Sequence, residues 1–153
     1  MGQMGLIGRM ARGVEELEFG GSLYEEALAL RKEILRDPLG LEWSGEERAA
    51  EPERRHFVLL EDGVVVACLS CCETGDGMRL RQMAVREDRQ GRGCGRQLVE
   101  DVCERLREEG VREVTLHSRE VAVGFYEALG FRRVGERFAE VGIPHWRMEI
   151  ALR

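Results

Sequence analysis

The residues that point most directly to chemistry are three glycines that alternate with arginine and cysteine in the segment Gln90-Gly-Arg-Gly-Cys-Gly95. Glycine has no Cβ, so a ligand can approach its backbone closely and the chain can turn tightly. An amphipathic helix is predicted to follow, and the unpaired N–H groups and positive dipole end of its first turn attract anions. Together these features predict a phosphate-binding loop.

The charge around this segment favours an anionic ligand. Residues 81–96 contain five arginines and two acidic residues, a local charge of +3, whereas the 153-residue chain has a net charge of −6. A basic loop on an acidic protein indicates a polyanionic ligand rather than general affinity for nucleic acid. The arginines that surround the glycines are Arg86, Arg89, Arg92 and Arg96.

Several explanations of the glycines compete. A nucleotide P-loop requires Lys-Ser or Lys-Thr after its glycines, and neither follows here. A dinucleotide fingerprint requires G-x-G-x-x-G, and Arg96 stands where the third glycine belongs. A phosphate loop of another type and a plain glycine-rich turn before a surface helix remain as alternatives.

Length and composition predict one soluble domain over residues 1–153, with residues 1–12 irregular. No apolar run approaches the roughly 18 residues that a membrane helix needs. Arg9 and Arg12 are followed by an acidic stretch rather than an apolar one, so no signal peptide is expected. The five cysteines are therefore expected to be free thiols in the cytoplasm.

The pair Cys68-Leu-Ser-Cys71 formally matches C-x-x-C, but it lies inside a predicted strand rather than at a helix N-terminus. A structural zinc site would need a second close pair of Cys or His residues, and none is visible. These cysteines are predicted to pack in the interior, and no metal site is predicted. A thiol redox or zinc protein is kept as a third alternative.

Hydrophobic periodicity and turn signals predict the order β-α-α-β-β-β-α-β-α-β-β, an α/β fold around a mixed sheet. Ser22, Ser44 and Ser118 are predicted helix caps, and Asp62-Gly63 is a predicted hairpin turn. The predicted strands cover residues 14–19, 56–60, 64–72, 78–85, 111–117, 131–134 and 145–151, and the predicted helices cover 22–38, 44–52, 93–109 and 119–129.

This order and two motifs resemble the GNAT superfamily of acyl-CoA-dependent N-acyltransferases. The segment Gln90–Gly95 resembles the family's Q/R-x-x-G-x-G/A loop, and Phe125-Tyr-Glu-Ala-Leu-Gly-Phe131 resembles its F-Y-x-x-x-G-F segment. The implied fold is a mixed, mostly antiparallel sheet flanked by about four helices in three layers. A closer resemblance, to a bacterial branch often called ElaA-like, is carried by Leu30-Arg31, Pro38-Leu-Gly-Leu41, Leu80-Arg-Gln-Met-Ala-Val85, Gly142-Ile-Pro-His145 and Met148.

The resemblance implies transfer of an acetyl group from acetyl-CoA to a primary amine of a small molecule or peptide. It implies that the loop amides hold the CoA pyrophosphate and that the backbone of residues 83–85 pairs with pantetheine. Arg119 stands where the family often has an asparagine that contacts the cofactor, so it is included among the binding residues. Contact with an acidic group of the acceptor and simple solvation are the alternatives for Arg119. The implied cofactor-binding residues are Met83, Ala84, Val85, Arg89, Gln90, Gly91, Arg92, Gly93, Cys94, Gly95, Arg96 and Arg119.

Tyr126 stands at the position of the family's general acid, and the alternative is that it only packs its helix onto the sheet. For the base, His117, His145 and Glu140 are equal candidates, and a water chain or another carboxylate such as Glu73 is the remaining alternative. The competing functional class is a non-catalytic module that binds or senses acyl-CoA. No nucleic acid or membrane partner is expected, and the C-terminal strands are a homodimer surface by analogy only.

Overall fold

The computed structural model of the chain describes residues 11–153, and seven strands and four α-helices follow one another there in the predicted order. The strands are β1 (Arg12–Leu17), β2 (Arg55–Glu61), β3 (Val64–Glu73), β4 (Met78–Val85), β5 (Glu113–Arg119), β6 (Arg132–Glu140) and β7 (Ile143–Ala151). The α-helices are α1 (Ser22–Arg31), α2 (Gly45–Ala50), α3 (Cys94–Glu108) and α4 (Val123–Ala128).

The strands form one mixed sheet in the order β1-β2-β3-β4-β5-β7-β6. β1 and β2 are antiparallel, and so are β5 with β7 and β6 with β7, whereas β4 and β5 run parallel with Met78 opposite Val114. The mixed α/β fold predicted from the sequence is therefore confirmed. Short helical turns join the elements at Lys32–Arg36, Asp37–Leu39, Glu51–Glu53, Glu87–Arg89 and Glu120–Ala122.

Several local predictions need correction. Ser22 is the first residue of α1 and Gly21 is the N-cap, without a side-chain cap bond, so the first capping box is wrong. Ser118 lies inside β5, where its hydroxyl donates to the carbonyl of Arg119 at 2.8 Å, so it caps no helix. β1 begins at Arg12, inside the stretch expected to be irregular. The remainder of that expectation concerns residues 1–10, which lie outside the described residues.

One predicted turn and one predicted helix cap are confirmed. Asp62 and Gly63 have φ values of 50° and 82°, as a two-residue hairpin turn that follows the strand twist requires. At α2, the hydroxyl of Ser44 accepts the N–H of Glu47 at 3.0 Å, and the Glu47 carboxylate accepts the N–H of Ser44 at 3.1 Å. This reciprocal pair is the second capping box predicted from the sequence.

The chain divides into two compact units that interleave along the sequence. The first unit extends to Ser70 and includes Gln82–Leu98, and the second comprises Cys71–Arg81 and Val99–Arg153. Among residues 11–153 no helix is long and apolar enough to cross a membrane.

The first unit has an apolar core between α1 and the strands. Ala27 and Leu30 of α1 pack with Val58 of β2, Val65 of β3 and Ala84 of β4, and each is at most 6% exposed. In the second unit, Leu106 of α3 and Met148 of β7 are fully buried. Burial of such side chains stabilises each unit by about 2 kcal/mol per large residue.

A polar network lies beside the core of the first unit. Arg31 donates to both carboxylate oxygens of Glu51, at 2.7 and 3.0 Å, and the Tyr24 hydroxyl donates to the same carboxylate at 2.7 Å. Arg31 is 2% exposed and Glu51 is 4% exposed, so the ion pair is almost dry. Burial alone would raise the pKa of Glu51, but the hydrogen bonds and charge of Arg31 outweigh it and lower that pKa.

The buried ion pair between Arg31 and Glu51 leads to a prediction about stability. In Glu51→Gln the Arg31 guanidinium keeps its burial but loses its counter-charge, so the free energy of unfolding at pH 7 should fall by about 3 kcal/mol. Chemical denaturation measures this change. The matched control is Glu53→Gln at an exposed site, which should change the free energy of unfolding by less than about 0.5 kcal/mol. Because the folded pKa of Glu51 is depressed, its contribution is present above the unfolded pKa of about 4.3 and is lost as pH falls below it. The difference in the free energy of unfolding between wild type and Glu51→Gln should therefore shrink as the pH falls below about 5. A difference that stays constant with pH would contradict the assignment.

Candidate active site

The glycine loop connects a short helical turn to the N-terminus of α3. Gly91 and Gly93 have φ values of 77° and 79°, in the left-handed region that favours glycine, and no atom lies within 4 Å of a Cβ built at either position. The helical ladder begins where Gln97 N–H donates to the Gly93 carbonyl at 3.0 Å. The N–H groups of the preceding first turn therefore have no helical acceptor and lie at the positive end of the helix dipole.

The arginines around the loop differ in how they are used. Arg89 donates to the buried carboxylate of Glu61 at 2.7 Å, and Arg12 lies 3.3 Å from the same carboxylate. Arg86 forms a two-point ion pair with Asp88, whose pKa its hydrogen bonds lower to about 2. Glu61 was not predicted from local sequence patterns, because its partner Arg89 lies 28 residues away. Arg89 and Arg86 therefore brace the loop through carboxylates, whereas Arg92 and Arg96 are exposed.

The last residues of β4 hold the second predicted binding segment. Gln82 has a φ of 53°, which a non-glycine residue rarely adopts within a strand. Ala84 is 2% exposed, and Met83 and Val85 are half-buried. The side-chain amide of Gln90 donates to the carbonyl of Val85 at 3.0 Å, so the glycine loop is tied to this strand end.

Tyr126 lies on α4 between two phenylalanine rings. Its ring centroid is 4.9 Å from that of Phe125 and 5.7 Å from that of Phe131, both in edge-on geometry. Burial raises the pKa of Tyr126, so the phenol stays protonated at neutral pH. Its hydroxyl makes no hydrogen bond to another residue within the described part of the chain.

Three candidates for the base come together in one cluster of the second unit. His117 Nδ1 lies 2.9 Å from Glu140 Oε1, and His145 Nε2 lies 3.5 Å from Glu140 Oε2. The other ring nitrogen of His145 bonds the carbonyl of Ile143 at 2.8 Å, which fixes the ring. We call His117, Glu140 and His145 the Glu140 cluster. Phe138 packs against both imidazoles, with centroid distances of 5.0 and 5.9 Å.

Arg79 adds a second partner to His117. Its Nη2 lies 2.7 Å from Nδ1, the same nitrogen that faces Glu140. One ring nitrogen cannot accept from Arg79 and donate to Glu140 at once, so the two bonds are alternatives that depend on where the proton lies. Arg79 was not predicted as a site residue, although its alternation with Arg81 along β4 places both on one face of the strand.

The surroundings lower the pKa values of His117 and Glu140. Burial is the largest cause of the lowered pKa of His117, with the charges of Arg79 and Arg81 adding to it and Glu140 partly opposing it. For Glu140, burial alone would raise the pKa, but the bond to His117 and the charges of both imidazoles and Arg79 outweigh it. At neutral pH the cluster therefore contains a carboxylate beside a neutral His117.

A tight hairpin places Glu140 in the cluster. β6 extends to Glu140, six residues beyond the predicted strand, and β7 begins at Ile143. Val141 and Gly142 form the turn with φ values of 45° and 74°, and Val141 is 57% exposed. A β-branched residue is strained at this φ, and the absence of an Asn-Gly or Asp-Gly signal is why the hairpin was missed.

The other predicted residues have varied surroundings. Arg119 is the last residue of β5, opposite His145 of β7, rather than the first residue of a helix. Cys68 and Cys71 are buried in β3, and burial raises the pKa of Cys68 to about 12, as expected of packing residues rather than redox thiols. Within residues 11–153 no group of three or more His, Cys, Asp or Glu side chains is arranged to hold a metal ion.

Comparison with known proteins identifies the family. A family model described as an acetyltransferase (GNAT) domain matches residues 40–152. Among curated proteins, YyaT of Bacillus subtilis (strain 168) is 31% identical over 91 residues, which are 60% of this chain. The match spans 62% of the length of YyaT.

Solved structures share the fold. A protein from Lactobacillus plantarum superposes with a TM-score of 0.84 over 94% of this chain and 99% of its own, at 24% identity. ElaA of Escherichia coli superposes with a TM-score of 0.75 over 91% of this chain and 99% of its own, at 21% identity. At these identities the likeness concerns the fold.

The Glu140 cluster makes a titration prediction. In Glu140→Gln, His117 loses the carboxylate that favours its charged form, so its pKa should fall further. In Arg79→Gln it loses a neighbouring positive charge, so its pKa should rise. NMR titration of the ring signals measures both shifts, since the chain has only three histidines.

Glu136→Gln is the matched control for the charge change, because Glu136 lies exposed on the same strand. It should leave the His117 titration within about 0.1 pH unit of wild type. A His117 pKa that responds equally to Glu136→Gln and Glu140→Gln would show that net charge, rather than the hydrogen bond, sets it.

Proposed function

Because the chain belongs to the GNAT acetyltransferase family, we propose that it transfers an acetyl group from acetyl-CoA to a primary amine of a small molecule or peptide. The observation that carries the proposal is the glycine loop. Its two left-handed glycines leave the first turn of α3 open to a ligand within a chain of GNAT fold.

The loop residues fit a diphosphate. A side chain at Gly91 or Gly93 would stand in the open space that a phosphate needs, and glycine leaves that space free. Arg92 and Arg96 are the exposed arginines nearest the helix N-terminus, so we assign them as charge partners. Arg89 donates to the carboxylate of Glu61 and so helps to hold the loop in place, which makes its contribution to binding indirect.

The backbone of residues 83–85 is assigned to pantetheine, which would pair with it as a further strand. The bond from Gln90 to the Val85 carbonyl supports this assignment, because it fixes the strand end relative to the loop. A backbone N–H at this point can also polarise a thioester carbonyl.

Tyr126 is assigned as the proton donor to the leaving thiolate. Its raised pKa keeps the proton on the phenol until a stronger base is present, and its hydroxyl is not engaged by another described residue. Transfer to a thiolate, whose conjugate thiol has a pKa near 8.5, becomes favourable only when a local charge or ligand lowers the phenol's pKa.

The Glu140 cluster is assigned as the proton acceptor. A lysine-like amine has a pKa of about 10.4, so removing its proton at pH 7 costs about 4.6 kcal/mol. A neutral imidazole beside a carboxylate can accept that proton, because Glu140 stabilises the imidazolium that forms at His117. The amine nitrogen bonds to the thioester carbonyl carbon as its proton passes to the cluster, the C–S bond breaks, and the leaving thiolate takes a proton from the phenol. The proton held by the cluster then returns to the phenolate through solvent, which restores both groups.

The competing proposal is a non-catalytic module that binds acyl-CoA. It shares the glycine loop but gives no role to the Glu140 cluster or to the Tyr126 hydroxyl. Calorimetry with CoA and thiol release with a panel of amines separate the two, since binding without turnover on any amine would favour the module. Absence of CoA binding would contradict both proposals.

Gly93→Ala tests the loop. It adds a Cβ at a left-handed position and closes the open side, so the dissociation constant for CoA should rise at least tenfold. Gly45→Ala is the matched control, because Gly45 also has open space around it but no left-handed φ. Equal CoA affinities in the two variants, measured by calorimetry, would remove the loop from the site.

Tyr126→Phe tests the proton donor. The ring contacts with Phe125 and Phe131 remain, so the melting temperature should stay within about 2 °C of wild type. The kcat should fall at least tenfold with little change in KM for acetyl-CoA, as expected when only a transition-state interaction is lost. An unaltered kcat would leave Tyr126 with its packing role alone.

A further inference from the structure

We propose that Gln82 is a positioning residue for coenzyme binding. Its side-chain amide is hydrogen-bonded to Arg31 at one end and to Glu47 at the other, an arrangement that we call the clamp. The clamp holds the strained backbone of Gln82, which sets the orientation of the following residues Met83–Val85. This inference rests on the proposed function only for its affinity measurement, because the geometry of the strand end can be tested without a ligand.

The strain at Gln82 is local and unexplained by a turn. Its φ of 53° lies within β4, whereas the other non-glycine residues with positive φ between residues 11 and 153, Asp62 and Val141, lie in hairpin turns. For an L-residue with a Cβ this conformation is unfavourable, and it persists only when surrounding contacts determine it. The strain therefore calls for contacts that hold the residue in place.

Those contacts come from both ends of the Gln82 amide. Its Oε1 accepts a hydrogen bond from Arg31 Nη2, and its Nε2 donates to Glu47 Oε2 at 3.2 Å. A guanidinium can only donate and a carboxylate can only accept, so the amide has one orientation here. With both ends fixed, the side chain cannot rotate and let the backbone relax.

Both arms of the clamp are themselves held. Arg31 is 2% exposed, is bonded at two points to Glu51, and stacks on the Trp43 ring at 4.9 Å. Glu47 is held by the capping box with Ser44 and by an ion pair with Arg36. Because neither arm can follow Gln82, the positive φ is imposed by the surrounding helices.

The residues after Gln82 inherit its direction. A change from positive to ordinary φ at position 82 would turn the peptide planes of Met83–Val85, the segment assigned to pantetheine. Gln82 thereby acts through Met83–Val85 rather than by touching the coenzyme.

The test compares two substitutions that both remove the amide. In Gln82→Ala the positive φ is costly and unsupported, so the strand end should relax and the dissociation constant for CoA should rise at least tenfold. In Gln82→Gly the same φ carries no steric cost, so the increase should stay below about threefold. Equal losses of CoA affinity in the two variants would overturn the proposal. They would mean that binding needs the Gln82 side chain for a reason other than the backbone conformation at position 82.

A double-mutant cycle with Glu47→Ala tests the clamp directly. Glu47→Ala should weaken CoA binding several-fold in the wild-type chain and have no further effect in the Gln82→Gly background. A merely structural effect of Glu47 on α2 would appear equally in both backgrounds. Asp62→Gly, which relieves a positive φ at a hairpin of the same unit, is the control and should leave CoA affinity unchanged.

Amide hydrogen exchange in the free protein keeps the two proposals distinguishable. Gln82→Ala should speed exchange at Met83 and Val85 at least tenfold, and Gln82→Gly should do so less. If wild type fails to bind CoA but the exchange pattern holds, the proposed function fails and the clamp stands. If exchange is unaltered in Gln82→Ala, the clamp is overturned whatever the affinity of wild type.

Discussion

The first unit depends on the buried ion pair between Arg31 and Glu51. Two charges withdrawn from water are tolerated only when their geometry is nearly complete, and here two guanidinium bonds, a tyrosine hydroxyl and an aromatic ring surround them. The pair fixes α1 against the turn that follows α2, and from that fixed point Arg31 reaches Gln82. One electrostatic constraint thus connects helix packing with the backbone of the strand proposed to bind pantetheine.

The second unit uses its charges differently. In the Glu140 cluster the carboxylate of Glu140 and the imidazole of His117 are only partly withdrawn from solvent and lie beside the guanidinium of Arg79, so the protonation of Glu140 and His117 responds to small changes in charge. His117 has two alternative bonds at one nitrogen, and Glu140 sits beside a strained two-residue turn. The buried pair of the first unit is suited to holding a shape, and this cluster is suited to exchanging a proton.

The fold followed from periodicity and turn signals, since apolar runs, glycines and prolines marked nearly every element. The glycine loop was also recognisable, because its function depends on adjacent residues. What escaped prediction depends on distance along the chain: Glu61 beneath the loop, Arg79 beside His117, and Arg31 with Gln82 across 51 residues. Ser118 and the β6–β7 hairpin were predicted wrongly because pairing across the sheet outweighed local sequence signals. Pairing with β7 extends β5 through Ser118, and pairing of β6 with β7 places Val141 in a turn.

The carboxylate of Glu61 has one more consequence. It lies 5% exposed beneath the loop and pairs with both Arg89 and Arg12, while Asp88 pairs with Arg86. Two of the four arginines that surround the glycines in the sequence, Arg86 and Arg89, are thereby paired with carboxylates within the fold. Recognition of a diphosphate would then combine the exposed Arg92 and Arg96 with oriented peptide dipoles, which dissolved ions screen poorly at close range. Coenzyme affinity in this protein should consequently fall less steeply with ionic strength than it would with four available arginines.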